Sequence, residues 1–312
     1  MNDRSVPPQL TLSISSVERD TGLSKDTLRV WERRYGFPQP SRDGFGERVY
    51  PLDQVDRLRI IRRLMDAGHR PGKIIGLDSQ ALQELAGGTA TAAFGQRELP
   101  LGQEDLARYI ELVKSHQVPE LRGALAQATL RLGLDRFVVE VAAPLSRMVG
   151  EAWAAGYFEI FEEHLYTESM QVVLRNAISS IPSVSRRPRV LLTTFPNEAH
   201  GLGLLMAEAI LALAGCRCVS LGVQTPLWDI ALAAGAQQVD VVALSFSAAA
   251  NAGQAIEGLA QLRAKLAPAI EIWAGGGCRV LRRKPPDEIR VLSELTDIHR
   301  ALEHWRAAHP EY

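Results

Sequence analysis

The stretch that decides the fold is "RVLLTTFPNEAHGLG", residues 189–203, which runs from an apolar segment through a polar turn into a glycine-rich helix start. A short, partly β-branched apolar run of this kind predicts a buried strand. The turn carries a carboxylate, Glu198, two residues before an imidazole, His200. Imidazole is the most common protein ligand for metals, and a carboxylate often orients it, but an ordinary loop histidine gives the same pattern. Taken alone, the stretch leaves both interpretations open.

Strand and helix patterns continue to alternate through the rest of the C-terminal half. Apolar runs predict strands at residues 189–195, 217–223, 239–247 and 270–277, with a weaker strand near 289–293. Helical patterns fall near residues 201–214, 226–236, 251–266 and 297–308. The alternation predicts a doubly wound parallel α/β domain, which binds ligands beyond the carboxyl ends of its strands. Those ends carry Gly201 and Gly203, which leave space for a large ligand near the backbone, then "SFS" at 245–247 and "GGG" at 275–277.

The middle of the chain, residues 104–182, shows apolar residues at helical spacing in four segments, divided by Pro119, Gly133 and Gly156. This pattern predicts a four-helix bundle. Within it, Trp153 is followed by nine residues and then Glu163-His164. On the residues alone, Trp153 is as consistent with a core aromatic as with a ligand contact, and Glu163-His164 with an exposed helix face.

The N-terminal segment "TLSISSVERDTGLSKDTLRVWERRYG", residues 11–36, predicts a helix-turn-helix. Ser15 or Ser16 is the expected cap of the first helix, Gly22 ends it, and Ser24 caps a second helix that Gly36 ends. In such a motif the second helix carries the side chains that contact DNA bases. Here it offers mostly basic and polar side chains: Lys25, Thr27, Arg29, Arg33 and Arg34.

A hairpin and further helix are predicted after this motif. Gly44 and Gly46 mark the hairpin tip, "RVY" at 48–50 the returning strand, and Pro51 the start of the next helix. Residues 1–75 hold 14 Lys/Arg against 10 Asp/Glu, whereas the remaining residues hold 21 against 26. A basic head on an acidic body favours a polyanionic partner for the head, although chance gives such an asymmetry as well.

Composition excludes several classes of protein. The chain has 312 residues, is 46% hydrophobic and 23% charged, and carries a net charge of −1, which is typical of a globular protein. No apolar run approaches the ~18 residues of a membrane span, and the N-terminus lacks a signal-peptide pattern. Its cysteines, Cys216, Cys218 and Cys278, are too few for a disulfide framework and favour a cytoplasmic location. The small-residue-rich stretch 79–103 is expected to be a linker.

Residues 10–78 resemble the DNA-binding domain of the MerR family of transcription regulators, in the recognition segment and in the "RxY" element of the wing. We therefore expect a MerR-type winged helix-turn-helix domain over residues 1–78 that binds double-stranded operator DNA. The resemblance implies that the DNA contacts come from Lys25, Thr27, Arg29, Arg33, Arg34, Tyr35, Arg42, Arg48 and Tyr50. Because the long dimerisation helix typical of the family is missing, a homo-oligomer, dimer or tetramer, is expected to form through the C-terminal domains.

The remainder resembles the cobalamin-dependent MerR-type regulators that act as light-sensing repressors. The pattern W-x9-EH is similar to their helical cap, and ExHxxG followed by SxS and GGG is similar to cobalamin-binding Rossmann-like domains. The resemblance implies a cap at 104–182 and a Rossmann-like, flavodoxin-like domain at 188–312. It implies His200 as the lower ligand of the cobalt in adenosylcobalamin. The expected cofactor-binding residues are Trp153, Glu163, His164, Glu198, His200, Gly203, Ser245, Ser247, Gly275, Gly276 and Gly277.

The expected function is that of a B12-dependent, light-responsive regulator, most simply a repressor, and not an enzyme. The chain has no room for the barrel of about 250 residues that a cobalamin enzyme would add, so a corrinoid carrier or enzyme subunit is the remote alternative. In the light-sensing relatives a histidine follows the cap tryptophan, and this chain has Ala154 there. A regulator of the same architecture that works without cobalamin, with another chromophore or with a protein partner therefore stays open.

Overall fold

The structure, a computed structural model, describes residues 11–66, 69–87, 104–182, 186–248 and 250–310. These residues form two compact units. The first contains the N-terminal head together with residues 149–163. The second contains most of the helical middle segment and the whole C-terminal sheet domain.

The head begins with the predicted helix-turn-helix. Helix α1 (Ile14–Thr21) starts earlier than expected, because Ser13 rather than Ser15 or Ser16 is its cap and accepts a hydrogen bond from the Ser16 amide. Helix α2 (Lys25–Tyr35) is capped by Ser24, as predicted, and ends at Gly36. The left-handed conformation of Gly36, with φ 68°, is one that glycine adopts without strain.

The predicted wing is present as an antiparallel sheet of three short strands: β1 (Thr11–Ser13), β2 (Ser41–Arg42) and β3 (Arg48–Pro51). Helices α3 (Leu52–Asp66), α4 (Pro71–Ile74) and α5 (Ser79–Gly87) follow. The core of the head is apolar and includes Leu28, Trp31, Leu58, Ile74 and Leu82.

The first part of the segment that is expected to be a linker is instead a helix of the head. Helix α5 occupies residues 79–87, and its Leu82 is fully buried in the head's core. The alanine- and leucine-containing sequence forms a helix here because it has an apolar surface to cover. Residues 88–103, the rest of the expected linker, lie outside the described residues.

Four helical segments occupy the middle of the chain, as the periodicity predicts. The first two are α6 (Glu104–Lys114) and α7 (Val118–Leu132), with Pro119 in the first turn of α7 where its missing N–H costs nothing. The third comprises α8 (Leu134–Phe137), a π-helical segment at Val138–Ala142 and α9 (Ala143–Ala154) without a break. The fourth is α10 (Ile160–Ser179).

The C-terminal domain is the predicted parallel α/β sheet. Its strands are β4 (Arg186–Thr193), β5 (Cys216–Gly222), β6 (Val241–Phe246), β7 (Glu271–Gly276) and β8 (Ile289–Leu292). Their order is β5-β4-β6-β7-β8 with every pair parallel, which is the flavodoxin-like order. Its helices are α11 (Leu202–Leu213), α12 (Leu227–Ala236), α13 (Ala252–Lys265), α14 (Arg279–Arg283) and α15 (Asp297–Ala308).

Helices cover both faces of this sheet. One cluster joins Val242, Leu244 and Phe246 of β6 to side chains of α12, α13 and α14. Alternate strand residues, among them Trp273, are also buried, while α11 and α15 contact each other and β4. Burial on both faces explains the continuous apolar runs of the strands. No helix among the described residues is long and apolar enough to cross a membrane.

Candidate functional site

The candidate site lies at the carboxyl edge of the parallel sheet, in the loop that connects β4 to α11. The His200 side chain is 65% exposed, and its Nδ1 lies 2.7 Å from Oε1 of Glu198. The same carboxylate oxygen accepts the backbone N–H of His200 at 3.1 Å. When Nδ1 donates its proton to Glu198, the lone pair of the imidazole is on Nε2. The arrangement therefore fixes the orientation of the ring, which is what a carboxylate does for a metal-binding histidine.

Glu198 is itself held from the neighbouring strand. Its other carboxylate oxygen, Oε2, accepts the backbone N–H of Ser247 at 2.8 Å, just beyond β6. Burial raises the pKa of Glu198, but hydrogen bonds from His200 and the Ser247 amide outweigh it, and the pKa lies below its usual value. Asn197, in the left-handed region at φ 69°, turns the chain immediately before Glu198. The carboxylate is thus fixed and charged beneath the imidazole.

Ser245 and Ser247 border the same edge. A methyl carbon at Gly203 would lie 3.0 Å from the Ser245 hydroxyl, so this glycine allows α11 to start directly beside β6. The Ser247 hydroxyl lies near the Glu198 carboxylate, yet it is buried without a hydrogen bond of good geometry to any described residue. A buried hydroxyl of this kind is available to a bound ligand.

The triple glycine, which is expected to bind the cofactor, also has a packing role. A methyl carbon at Gly276 would collide with the Phe246 carbonyl, and one at Gly277 would lie 2.8 Å from the Ala248 amide. Gly276 also has φ 108°. Gly276 and Gly277 are therefore required for the close approach of β7 to the end of β6. Gly275 pairs with Ser245 across the two strands and belongs to the edge that carries the serines.

The residues of the W-x9-EH pattern lie near the end of α9 and the start of α10. Trp153 and Glu163 belong to the first unit. Trp153 is half-buried near the end of α9, and Ala154 is the last residue of that helix. Glu163 lies in the first turn of α10, and His164, the first residue assigned to the second unit, is exposed. The guanidinium carbon of Arg63, from α3 of the head, is 6.0 Å from the centre of the Trp153 ring.

In the recognition helix α2, three of the expected DNA contacts are exposed side chains: Arg29, Arg33 and Arg34. Lys25 and Thr27 also support the helix start, since Lys25 pairs with Glu18 at 3.7 Å and the Thr27 hydroxyl is 2.8 Å from the Ser24 hydroxyl. The Tyr35 ring packs partly against the head's core.

Two residues of the wing that are expected to contact DNA make contacts within the head. Tyr50 is fully buried, so it lies in the core of the head and not on a DNA-facing surface, and burial raises the pKa of its phenol. Arg48 makes a two-point ion pair with Glu32 of α2, with Nε 2.9 Å and Nη2 3.4 Å from the two carboxylate oxygens. This pair fixes the wing to the recognition helix. Exposed Arg42 donates to the Gly46 carbonyl, and Phe45 at the tip is 94% exposed.

Sequence reasoning missed two residues whose contacts hold other segments in place. The Thr194 hydroxyl accepts the Gln224 amide at 2.8 Å, and Nη2 of the buried Arg63 in α3 lies 3.2 Å from Oε2 of Glu159. Neither belongs to a motif, because each depends on a contact distant in sequence. Over the described part of the chain, no group of three or more His, Cys, Asp or Glu side chains is arranged to hold a metal ion.

Two known protein families match parts of this chain. Residues 12–80 match the family described as MerR HTH family regulatory protein, and residues 188–287 match the B12 binding domain. The monomethylamine corrinoid protein of Methanosarcina barkeri superposes with a TM-score of 0.52 at 13% identity, covering 65% of this chain and 99% of that one. This likeness supports the fold alone. The chain therefore combines the DNA-binding domain of the MerR transcription regulators with a C-terminal B12-binding domain.

Two particular proteins are similar over most of the chain. The HTH-type transcriptional repressor CarH of Myxococcus xanthus is 29% identical over 85% of this chain and 89% of its own length. The repressor CarA of the same organism is 29% identical over 76% of this chain and 77% of its own length. Both are transcription regulators, in agreement with the prediction that this chain is not an enzyme. A shorter stretch of 62 residues is 39% identical to the regulator MlrA of Salmonella typhimurium and covers 20% of this chain and 26% of that protein.

Proposed function

We propose that this chain is a repressor whose affinity for operator DNA is controlled by adenosylcobalamin. In this proposal His200 is the lower axial ligand of the cobalt. The observation that carries the proposal is the exposed imidazole of His200, held at Nδ1 by the buried carboxylate of Glu198. The similarity to the repressors CarH and CarA supports the repressing role.

The residues present fit a corrinoid. A corrin ring supplies the equatorial ligands of its cobalt, so the protein needs to offer only an axial donor, and His200 is one oriented imidazole with no metal cluster around it in the described residues. The orphaned Ser247 hydroxyl offers a further polar contact at the same edge. We propose that Ser245 and Ser247 border the cleft for the displaced nucleotide base. That Trp153, Glu163 and His164 lie on the upper-ligand side is proposed from the W-x9-EH pattern alone.

When bound, adenosylcobalamin would supply a cobalt–carbon bond that visible light breaks. The chain's own part is to hold the corrin through His200 and to favour an oligomer whose several heads bind repeated operator sites together. Loss of the upper ligand would release that preference and with it the DNA. Ala154 cannot bind cobalt, so we propose no second histidine ligand after illumination.

The central experiment is a titration of the purified protein with adenosylcobalamin in the dark, followed by visible absorption. Wild-type protein should give the spectrum of histidine-ligated cobalamin, and His200→Ala should lose it. His304→Ala, which removes another exposed histidine, is the matched control and should behave as wild type. An unchanged spectrum in His200→Ala would refute the ligand assignment.

Light control is tested separately. Loaded wild-type protein should change its elution volume in size-exclusion chromatography after green light, and the same sample should lose operator affinity. If elution volume and operator affinity are the same in the dark and after illumination, cobalamin is an effector here but not a light sensor.

A further inference from the structure

The turn after β5, residues 222–225, lies directly beside the His200 loop. A methyl carbon at Gly201 would be only 3.1 Å from Cγ1 of Val223, so the turn contacts the loop next to the candidate cobalt ligand. Val223 is nevertheless 41% exposed, and Leu221, two residues earlier, is 37% exposed. An apolar surface therefore accompanies the imidazole at the carboxyl edge of the sheet.

One buried side chain joins the two segments. The hydroxyl of Thr194 donates to the Glu198 carbonyl at 2.6 Å and accepts the Gln224 amide at 2.8 Å. The Thr194 carbonyl accepts the Thr225 amide at 3.0 Å. Thr194 therefore holds the loop that carries the metal ligand and the turn that carries Val223 in one fixed arrangement.

Thr193, the residue before Thr194, makes further hydrogen bonds to the turn of residues 222–225. The Thr193 hydroxyl lies 3.0 Å from the Gly222 carbonyl and 2.7 Å from the Thr225 hydroxyl. Both threonines are fully buried at the end of β4. Buried hydroxyls with this many partners keep a loop in place better than exposed contacts do, because water does not compete for the hydrogen bonds.

We propose that residues 222–225 form a second wall of the corrinoid site, in which Val223 packs against the face of the ring that His200 ligates. Thr194 is then a positioning residue that sets the distance between His200 and that wall. The inference rests on the proposed function. A large flat ligand needs apolar surface beside its ligating atom, and Val223 is an exposed apolar side chain in contact with the His200 loop.

Val223→Ser tests the wall, because the side chain is already exposed and its loss should leave folding intact. Titration with hydroxocobalamin should give a Kd raised about tenfold with the histidine-ligated spectrum retained. Val30→Ser, at a valine of similar exposure in the head, is the matched control and should bind as wild type. An unchanged Kd in Val223→Ser, with wild-type protein binding normally, would overturn the wall but leave the role of His200 intact.

Thr194→Val and Thr194→Ser test the positioning role. Valine keeps the shape and removes the hydroxyl, so bound cobalamin should show a smaller histidine-ligated fraction, while serine should restore it. Near-ultraviolet circular dichroism reports whether each variant is folded. Full histidine ligation in folded Thr194→Val would contradict the role of Thr194. If the wild-type protein itself does not bind cobalamin, the proposed function is refuted.

A second inference concerns Arg63, which joins the head to the segment that carries Trp153. Arg63 is 6% exposed, and its Nη2 lies 3.2 Å from Oε2 of Glu159. Its Nε is buried without a hydrogen-bond partner in the described part of the chain. The backbone N–H of Glu159 is in turn held by the buried carboxylate of Glu162 at 2.7 Å.

Burying a guanidinium is unfavourable unless its partners compensate, so the contact is sensitive to movement of either partner. We infer that Arg63 transmits the position of the Trp153 segment to the DNA-binding head. This inference also rests on the proposed function, since the position of Trp153 is what the upper ligand would set. It explains how a change of the upper ligand at Trp153 would alter the operator affinity of the head.

Arg63→Met, which replaces the guanidinium by an apolar side chain of comparable length, is the test. The measured quantity is the ratio of operator Kd values without and with adenosylcobalamin. We expect this ratio to fall toward one in Arg63→Met, while the Kd for cobalamin and operator binding without cofactor change less than threefold. Arg19→Met, at an exposed arginine of α1, should keep the wild-type ratio. A wild-type ratio in folded Arg63→Met would overturn the inference, and a ratio of one in the wild type would overturn the proposed function as well.

Discussion

Nδ1 of His200 lies 2.7 Å from Oε1 of Glu198, and the second oxygen of that carboxylate accepts the backbone amide of Ser247. A single buried carboxylate thus connects the loop after β4 with the end of β6. It fixes the orientation of the imidazole ring, as a carboxylate does for a metal-binding histidine.

Replacing Glu198 by glutamine should weaken cobalamin binding without removing it. The amide keeps an acceptor for His200 but loses the negative charge that makes the imidazole a better donor. Loss of such an orienting carboxylate typically lowers metal affinity by about 10- to 100-fold. The Kd for adenosylcobalamin, read from the visible spectrum, measures the change. Glu257→Gln, at an exposed glutamate of α13, should have no effect, and equal Kd values for both variants would refute the orienting role.

Removal of Arg33 should weaken operator binding through charge. Arg33 is exposed on α2, so Arg33→Ala should lower affinity and reduce the slope of log Kd against log salt concentration by about one. Fluorescence anisotropy at several salt concentrations measures both quantities. Arg300→Ala, at an exposed arginine of α15, should change neither. A wild-type slope in Arg33→Ala would exclude a phosphate contact at this position.

Tyr50→Phe should leave DNA binding unchanged. The ring is fully buried and its hydroxyl has no hydrogen-bond partner in the described part of the protein. Removing an unsatisfied buried hydroxyl is nearly neutral or stabilising, by no more than about 1 kcal/mol. Urea unfolding and operator anisotropy give the two readouts. If Tyr50→Phe binds the operator more weakly at unchanged stability, then Tyr50 reaches the DNA after all.

Gly276→Ala should destabilise the C-terminal domain strongly. The added methyl group would collide with the Phe246 carbonyl, and φ 108° is a conformation that alanine rarely adopts. Overpacking and backbone strain each cost about 1–3 kcal/mol, so the thermal midpoint should fall by several degrees. Gly235→Ala, where a methyl group meets nothing within 4 Å, is the control and should be neutral. Similar midpoints for both variants would contradict the packing role.

Glu208→Gln should make stability less dependent on pH. Burial raises the pKa of Glu208 on α11 above its ordinary value of 4.5. The folded state therefore holds this proton more tightly than the unfolded state, and the free energy of unfolding falls as pH rises through that window. We expect Glu208→Gln to be more stable than the wild type at pH 7 but not at pH 4, measured by urea unfolding. Glu303→Gln, at an exposed glutamate, should not show this difference.

Much of the architecture follows from local patterns. Caps and glycines mark the ends of α1 and α2, and the apolar runs of the C-terminal half correspond to the strands of the parallel sheet. Boundaries are less certain from sequence, since Ser13 caps α1 although Ser15 and Ser16 are equally good cap residues. Helix α5 was missed because its stability depends on burying Leu82 in the head, which no local pattern reveals.

The sequence by itself determined the helix-turn-helix, the parallel sheet and the imidazole–carboxylate pair, because capping, periodicity and the spacing of Glu198 and His200 are properties of short segments. Only the tertiary structure decided which residues of each motif are exposed. It buried Tyr50, paired Arg48 with Glu32, and assigned Gly276 and Gly277 to strand packing. It also brought Thr194 to the turn of residues 222–225. These contacts join residues far apart in the chain, and burial and hydrogen-bond partners are set by the packing of whole elements.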